Sequence, residues 1–168
     1  DHALGAFADV HESPKFEEGL SALIQSHSVG PLKPNMILMG WSGQRERARG
    51  FARHLRLAEE MGMSQVVLFD RGMPDFERAI HVDVWWRGMR NGSLMVILAY
   101  LLTNHYEWRR IKIRVLRVVT EHEDQDEALF QTQHLINEAR LDATIQILQG
   151  VRIQDALQEH SSDAAVVF

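Results

Sequence analysis

A chain of 168 residues has room for one ordinary domain or two small lobes. Its net charge of −5 and pI near 6.0 argue against a nucleic-acid-binding protein, which is usually basic. Because the sequence has no cysteine, a disulfide framework, a thiol nucleophile and a thiolate metal site are excluded. The longest uncharged apolar run, Ser93–Leu102, is about half of the roughly 20 residues that a membrane-spanning helix needs, so we expect the chain to be soluble.

Strand-like and helix-like patterns alternate along the chain. Strands are indicated by short runs rich in β-branched and aromatic residues, and helices by apolar residues at a 3.6-residue period. The predicted strands are Leu4–Val10, Met36–Trp41, Gln65–Phe69, Val82–Trp86, Ile111–Val119, Thr144–Leu148 and Ala164–Phe168. The predicted helices are Pro14–Ser26, Gln44–Met61, Ser93–Arg109, Glu127–Ala139 and Ile153–Ser161, with a helical turn at Asp75–Ala79. This alternation predicts an α/β fold, a mostly parallel sheet with helices on both faces.

The rest of the chain is organised around the stretch His81–Leu102. Trp85 and Trp86 are adjacent in its strand and should point to opposite faces of the sheet, because side chains alternate along a strand. Both faces must then be covered, which is typical of a parallel sheet. The turn that includes Asn91 and Gly92 leaves an alternative open, in which Met95–Leu98 completes a β-hairpin instead of a helix.

Helix ends are also marked in the sequence. The acidic run Glu121–Asp126 is expected to cap the helix that follows, because carboxylates favour the positive end of the helix dipole. Gly62 stands where the C-terminal cap of the helix Gln44–Met61 is expected.

No pattern supports an enzyme. Ser42 lies in a predicted strand-to-helix turn, as a hydrolase nucleophile would, but Gln44 replaces the second glycine of that motif. His122, His134 and His160 are available as partners, although none is aptly placed, so a hydrolase remains only an outlying alternative. The nine histidines show no metal-binding spacing, and no dinucleotide fingerprint or P-loop occurs. The arginines of Arg45–Arg56 favour a solvated helix face over an anionic-lipid or phosphopeptide site.

Several segments together resemble one family. They are G-P-L-K-P-N-M-I-L-M-G-W at Gly30–Trp41, D-V-W-W at Asp83–Trp86 followed by Gly92, L-L-T at Leu101–Thr103, Trp108, and K-I-R-V at Lys112–Val115. In this order they resemble the cytoplasmic C-terminal domain of the cation-chloride cotransporters. The motif residues carried by the resemblance are Lys33, Pro34, Asn35, Gly40, Asp83, Trp85, Trp86 and Gly92. The sequence departs from the family pattern at Met36 and Asn91. The short loop between Phe69 and Val82 favours a prokaryotic-type homologue.

The resemblance implies a regulatory and dimerisation domain on the cytoplasmic side of the cell membrane, attached to the protein's own transmembrane domain. It implies universal-stress-protein-like lobes, with residues 1–79 as the later half of a first lobe and residues 80–168 as a second. The chain is accordingly expected to start within a fold and to belong to a longer protein. Tyr100, Tyr106 and Trp108 are candidate homodimer contacts, because such residues are enriched at interfaces.

A free-standing nucleotide-binding protein of the universal-stress type is the alternative. In that class a glycine-rich phosphate loop follows a strand like Ala164–Phe168, but the sequence ends at this point. The residues present therefore do not support ATP as a cofactor, and we predict neither a cofactor nor a metal.

Overall fold

The computed structural model of the chain describes residue 8 and residues 10–27, 33–41, 43–87 and 91–168. Within this part, the chain forms two compact units, one ending at Gly72 and one beginning at Met73. The assignment of residues 1–79 and 80–168 to two lobes stays a prediction. Ser42 lies outside the described residues, as does the predicted strand Leu4–Val10 except for residues 8 and 10. No helix of the described residues is both long and apolar enough to cross a membrane.

Strands and helices alternate as the sequence predicts. The strands are β1 Met36–Gly40, β2 Ser64–Leu68, β3 His81–Trp86, β4 Lys112–Val119, β5 Ala143–Gln149 and β6 Ala164–Val167. The helices are α1 Phe16–His27, α2 Ala48–Glu60, α3 Gly92–Asn104, α4 Gln125–Glu138 and α5 Ile153–His160, with 3₁₀ turns at Arg45–Arg47 and Tyr106–Trp108. Since Met95–Leu98 lies within α3, the hairpin alternative is wrong. The predicted helix Ser93–Arg109 is also wrong in its last part, because His105 is extended, with φ −70° and ψ 141°, and ends α3.

The first unit is built on the parallel pair β1–β2. Ile24 of α1, Ala58 of α2 and Met63 form its small core, with Ile37 of β1 packed against them. His54 of α2 is buried, and its Nε2 lies 3.1 Å from the Glu17 carbonyl oxygen of α1, which ties the two helices together.

The second unit is a four-stranded parallel sheet in the order β5-β4-β3-β6. Val84 and Ile113 on one face pack with Val96 of α3 and Ile136 of α4. Trp85 on the other face packs with Leu116, Leu148 and Ala156 of α5. Trp86 packs against the cluster around Val84, whereas Trp85 belongs to the cluster on the other face. The prediction that the two tryptophans point to opposite faces of the sheet is therefore confirmed. The predicted α/β class with helices on both faces of a parallel sheet is confirmed as well.

The helix ends follow the sequence signals. The Asp124 Oδ1 accepts hydrogen bonds from the backbone N–H of Asp126 at 2.8 Å and of Glu127 at 3.3 Å, so the acidic run caps α4 as predicted. Gly62, with φ 73°, follows α2 in the left-handed conformation that the predicted cap requires.

Candidate functional site

The motif residues of β3 and β4 meet in a buried ion pair. Asp83 is fully buried in β3, and the parallel register sets Arg114 of β4 opposite it. The Arg114 Nε donates to Asp83 Oδ1 at 2.8 Å and Nη2 donates to Oδ2 at 2.7 Å, a bidentate geometry. The Ser161 hydroxyl donates to Asp83 Oδ2 at 2.6 Å. The hydrogen bonds that Arg114 donates to Asp83 raise the pKa of Arg114 further above its ordinary value, so the guanidinium stays charged.

The same network fastens α5 and β6 to the sheet. The Arg114 Nη2 also donates to the His160 carbonyl oxygen at 2.6 Å and lies 3.3 Å from Asp163 Oδ1. The Trp85 indole N–H donates to Ser161 Oγ at 2.9 Å. Asp83 and Trp85 therefore act here in holding the second unit together. The sequence pointed to Asp83 but not to its partner, although Arg114 stands in the K-I-R-V segment and both strands place a charge at their third residue.

Trp86 and Gly92 form the second contact between motif residues. Gly92 is the first residue of α3 and is buried, and the Trp86 ring lies directly over its Cα. A Cβ at this position would collide with three carbon atoms of the six-membered ring. The glycine after the D-V-W-W strand is therefore required by the packing of the second tryptophan.

The remaining motif residues lie in the first unit. Lys33, Pro34 and Asn35 are exposed, and the Asn35 carbonyl oxygen accepts a hydrogen bond from the Ser64 N–H at 2.8 Å, which starts the β1–β2 pairing. Gly40 ends β1 with open space around its Cα, so nothing in the described structure explains why this residue is glycine.

A groove of about 440 Å³ runs between α3 and α4 on one side of the second unit. Its walls are mostly apolar and include Val96, Ile97 and Ile136, and Trp86 also lines it. Tyr100 and Arg140 are among its few polar residues, and Arg140 follows the C-terminal end of α4. No signal in the sequence predicts this groove, because the groove depends on how two helices are spaced across the sheet.

Arg140 has the unusual backbone of a helix cap that is normally glycine. Its φ is 54°, and the hydrogen bonds Arg140 N–H to Asn137 O and Leu141 N–H to Ile136 O form a Schellman motif. Gly62 closes α2 in the same way, with hydrogen bonds from Gly62 to Glu59 and from Met63 to Ala58. One chain thus contains the same cap once with glycine and once with arginine.

We expect Arg140→Gly to raise the free energy of unfolding by about 0.5–1 kcal/mol, because a side chain in the left-handed region is strained. The matched control is Gly62→Ala, which introduces that strain into α2 and should lower the free energy of unfolding by about 1 kcal/mol. Urea denaturation of both variants measures the two effects. Equal signs for the two substitutions would contradict the argument.

The described residues contain no group of three or more histidine, aspartate or glutamate side chains placed to hold a metal ion. His134 is exposed and pairs with Glu138 at 3.5 Å. The His160 Nδ1 lies 3.4 Å from the Gln146 amide nitrogen.

Comparison with known proteins tests the family resemblance. No protein-family model matches the chain. The chain is 26% identical over 155 residues to potassium/chloride cotransporter 3 of Caenorhabditis elegans, an alignment that covers 86% of this chain and 14% of that protein. The resemblance to cation-chloride cotransporters is confirmed. The chain therefore spans about one seventh of that cotransporter's length.

A solved structure supports the fold of this cotransporter-like chain. The crystal structure of the cytoplasmic domain of a prokaryotic cation chloride cotransporter matches it with a TM-score of 0.64 at 16% sequence identity. The match covers 80% of this chain and 54% of that one. At this identity the likeness concerns the fold, and the universal-stress-protein-like architecture predicted from the cotransporter resemblance is confirmed.

The candidate dimer contacts of the cotransporter-like chain differ in accessibility. Tyr100 is 47% exposed and Tyr106 is 60% exposed, whereas Trp108 is only 9% exposed. The Trp108 ring packs edge-on against Phe76, with ring centroids 5.1 Å apart, in the core of the second unit. The Glu107 carboxylate next to Tyr106 raises the pKa of its hydroxyl, which stays neutral at physiological pH. Of the three candidate dimer contacts, Tyr100 and Tyr106 are therefore the two whose side chains are exposed, and their role in a dimer stays a prediction.

Proposed function

We propose that this chain is the cytoplasmic regulatory and dimerisation domain of a cation-chloride cotransporter. In this role it supports coupled cation and chloride transport by a membrane domain outside this sequence, which is also its covalent partner. The observation that carries the proposal is the alignment with a potassium/chloride cotransporter over 86% of this chain. The fold match to the cytoplasmic domain of a second cotransporter supports the cytoplasmic placement.

A role in assembly accounts for the motif residues better than catalysis does. Arg114 donates hydrogen bonds to Asp83 and to the last residue of α5, and the Trp85 indole donates one to the residue that follows α5. Trp86 and Gly92 pack together. These groups are bonded or packed against one another and so hold the second unit together. The proteins found by comparison are a potassium/chloride cotransporter and the cytoplasmic domain of a cation chloride cotransporter. We therefore propose a non-enzymatic protein.

The outer side of α3 is the surface that we propose for the second copy. This helix carries no charged residue, and a helix that is apolar on all sides is normally buried on all sides. Val96 and Ala99 on its inner side are buried against the sheet. On its outer side Ile97 is 53% exposed, Tyr100 is 47% exposed and Leu101 is 59% exposed. A two-fold pairing of this patch with itself would cover it on both copies.

Leu101→Glu tests this surface. We expect the substitution to weaken self-association at least tenfold, because two carboxylates would be brought into an apolar interface. Gln158→Glu is the control, since it adds a carboxylate at an exposed position of α5 on the other face of the sheet. The measurement is solution mass by light scattering over a concentration series, with and without ATP.

A concentration-dependent dimer that is weakened by Leu101→Glu, unchanged by Gln158→Glu and indifferent to ATP would support the proposal. A monomer at all concentrations would remove dimerisation from this domain. Tight ATP binding by a monomer would favour the nucleotide-binding alternative instead.

A further inference from the structure

The groove between α3 and α4 has an apolar body and a basic end. Its apolar part lies beside Val96, Ile97 and Ile136. Tyr100 lines both this groove and a second, smaller cavity of about 180 Å³, so the two adjoin at this residue. The smaller cavity is lined by Arg109 and Lys112. The pair of cavities thus passes from apolar walls to cationic side chains.

The charge at this end is not neutralised within the described residues. Arg140 and Arg109 are exposed and form no ion pair there, while Lys112 lies 3.4 Å from Asp142. The linings of the two cavities together therefore contain three cationic side chains and one carboxylate, that of Asp142. Arg140 is also the residue that occupies a cap position better suited to glycine, so its side chain is kept at a cost in backbone strain.

We propose that the groove binds a free long-chain carboxylate. The acyl chain lies between α3 and α4 against Val96, Ile97 and Ile136, and the carboxylate lies at the Arg140 and Arg109 end beside Tyr100. The volume is within the range of small-molecule sites, which are mostly apolar with a few polar groups that fix orientation. A neutral apolar molecule would leave the guanidinium groups unused, and a cationic amphiphile would be repelled by them.

Isothermal titration calorimetry of the whole chain with decanoate, and with decanol as the neutral probe of equal chain length, tests the proposal. We expect decanoate to bind and decanol to bind at least tenfold more weakly, as loss of a charged hydrogen bond predicts. Arg140→Gln should weaken decanoate binding by about tenfold. Arg56→Gln, an exposed arginine of α2 in the first unit, should leave it unchanged.

Leu101→Glu separates this site from the proposed dimer surface, because Ile97 and Tyr100 belong to both surfaces and Leu101 does not line the groove. Ile97→Glu places a carboxylate in the groove wall and should abolish decanoate binding. Leu101→Glu, one helical turn away and outside the groove, should bind decanoate as the unmodified chain does. Circular dichroism checks that both variants fold. A Leu101→Glu variant that no longer self-associates but still binds decanoate would show that ligand binding does not need the dimer.

Three results would overturn the proposal. The first is no heat of decanoate binding to the folded chain. The second is equal binding of decanol and decanoate, or equal affinity of Arg140→Gln and the unmodified chain. The third is sedimentation with vesicles of anionic phospholipid without binding of decanoate, which would assign the basic end to a membrane surface.

Discussion

Asp83→Asn is expected to lower the free energy of unfolding of the second unit by about 3–5 kcal/mol, the cost of breaking a buried ion pair by removing one partner. The substitution leaves the Arg114 guanidinium, whose side chain is 16% exposed, without its bidentate carboxylate. It also leaves the Ser161 hydroxyl, which itself accepts a hydrogen bond from the Trp85 indole N–H, bonded to a weaker acceptor. Urea denaturation followed by circular dichroism measures the loss.

Asp163→Asn is the matched control on the same guanidinium. Its carboxylate lies 3.3 Å from Arg114 Nη2 but is 48% exposed, so solvent already screens the interaction. Its loss should cost less than about 1 kcal/mol. The double replacement Asp83→Leu with Arg114→Met removes both charges together and should cost less than Asp83→Asn alone, because no uncompensated charge remains. An Asp83→Asn variant as stable as Asp163→Asn would show that the buried pair does not hold this unit together.

Most of the fold could be predicted because its determinants are local. The period of apolar residues gave each described helix and strand, and Asp124 and Gly62 marked helix ends by chemistry that acts over two or three residues. The end of α3 could not be predicted, because neither glycine nor proline stands near His105, and Tyr106 and Trp108 continue the run of large side chains. This end of the helix depends on the chain returning to start β4, which is a property of the whole unit.

The contacts between the site residues could not be predicted without knowing the register of the sheet. Asp83 was identified as a motif residue from the sequence, but its pairing with Arg114 follows only when β3 and β4 are aligned as parallel neighbours. Trp108 was expected at an interface on residue type alone, and its packing against Phe76 shows that an aromatic residue near a helix end also suits the core. The α3–α4 groove was missed for the same reason, since helix spacing is set by the side chains that pack beneath the helices.

Gly92→Ala should be the second most damaging single change, with a loss of about 2–3 kcal/mol from overpacking. The added methyl group would meet the Trp86 ring, which is wedged between the start of α3 and the sheet. Alanine is a better helix former than glycine by about 1 kcal/mol, so any loss measured by urea denaturation must come from the collision and not from propensity. Gly40→Ala is the control, because no atom lies near that position and its backbone is compatible with alanine.

The Trp86→Leu background tests whether the Trp86 ring causes the loss of stability in Gly92→Ala. Once the ring is gone, the methyl group of Gly92→Ala has room, and the substitution should change sign and stabilise the domain by up to about 1 kcal/mol through helix propensity. A double-mutant cycle measures this coupling directly. If Gly92→Ala destabilises both backgrounds equally, then the glycine is required by the backbone at the start of α3, and the pairing of Gly92 with the second tryptophan of the D-V-W-W strand is not the reason for it.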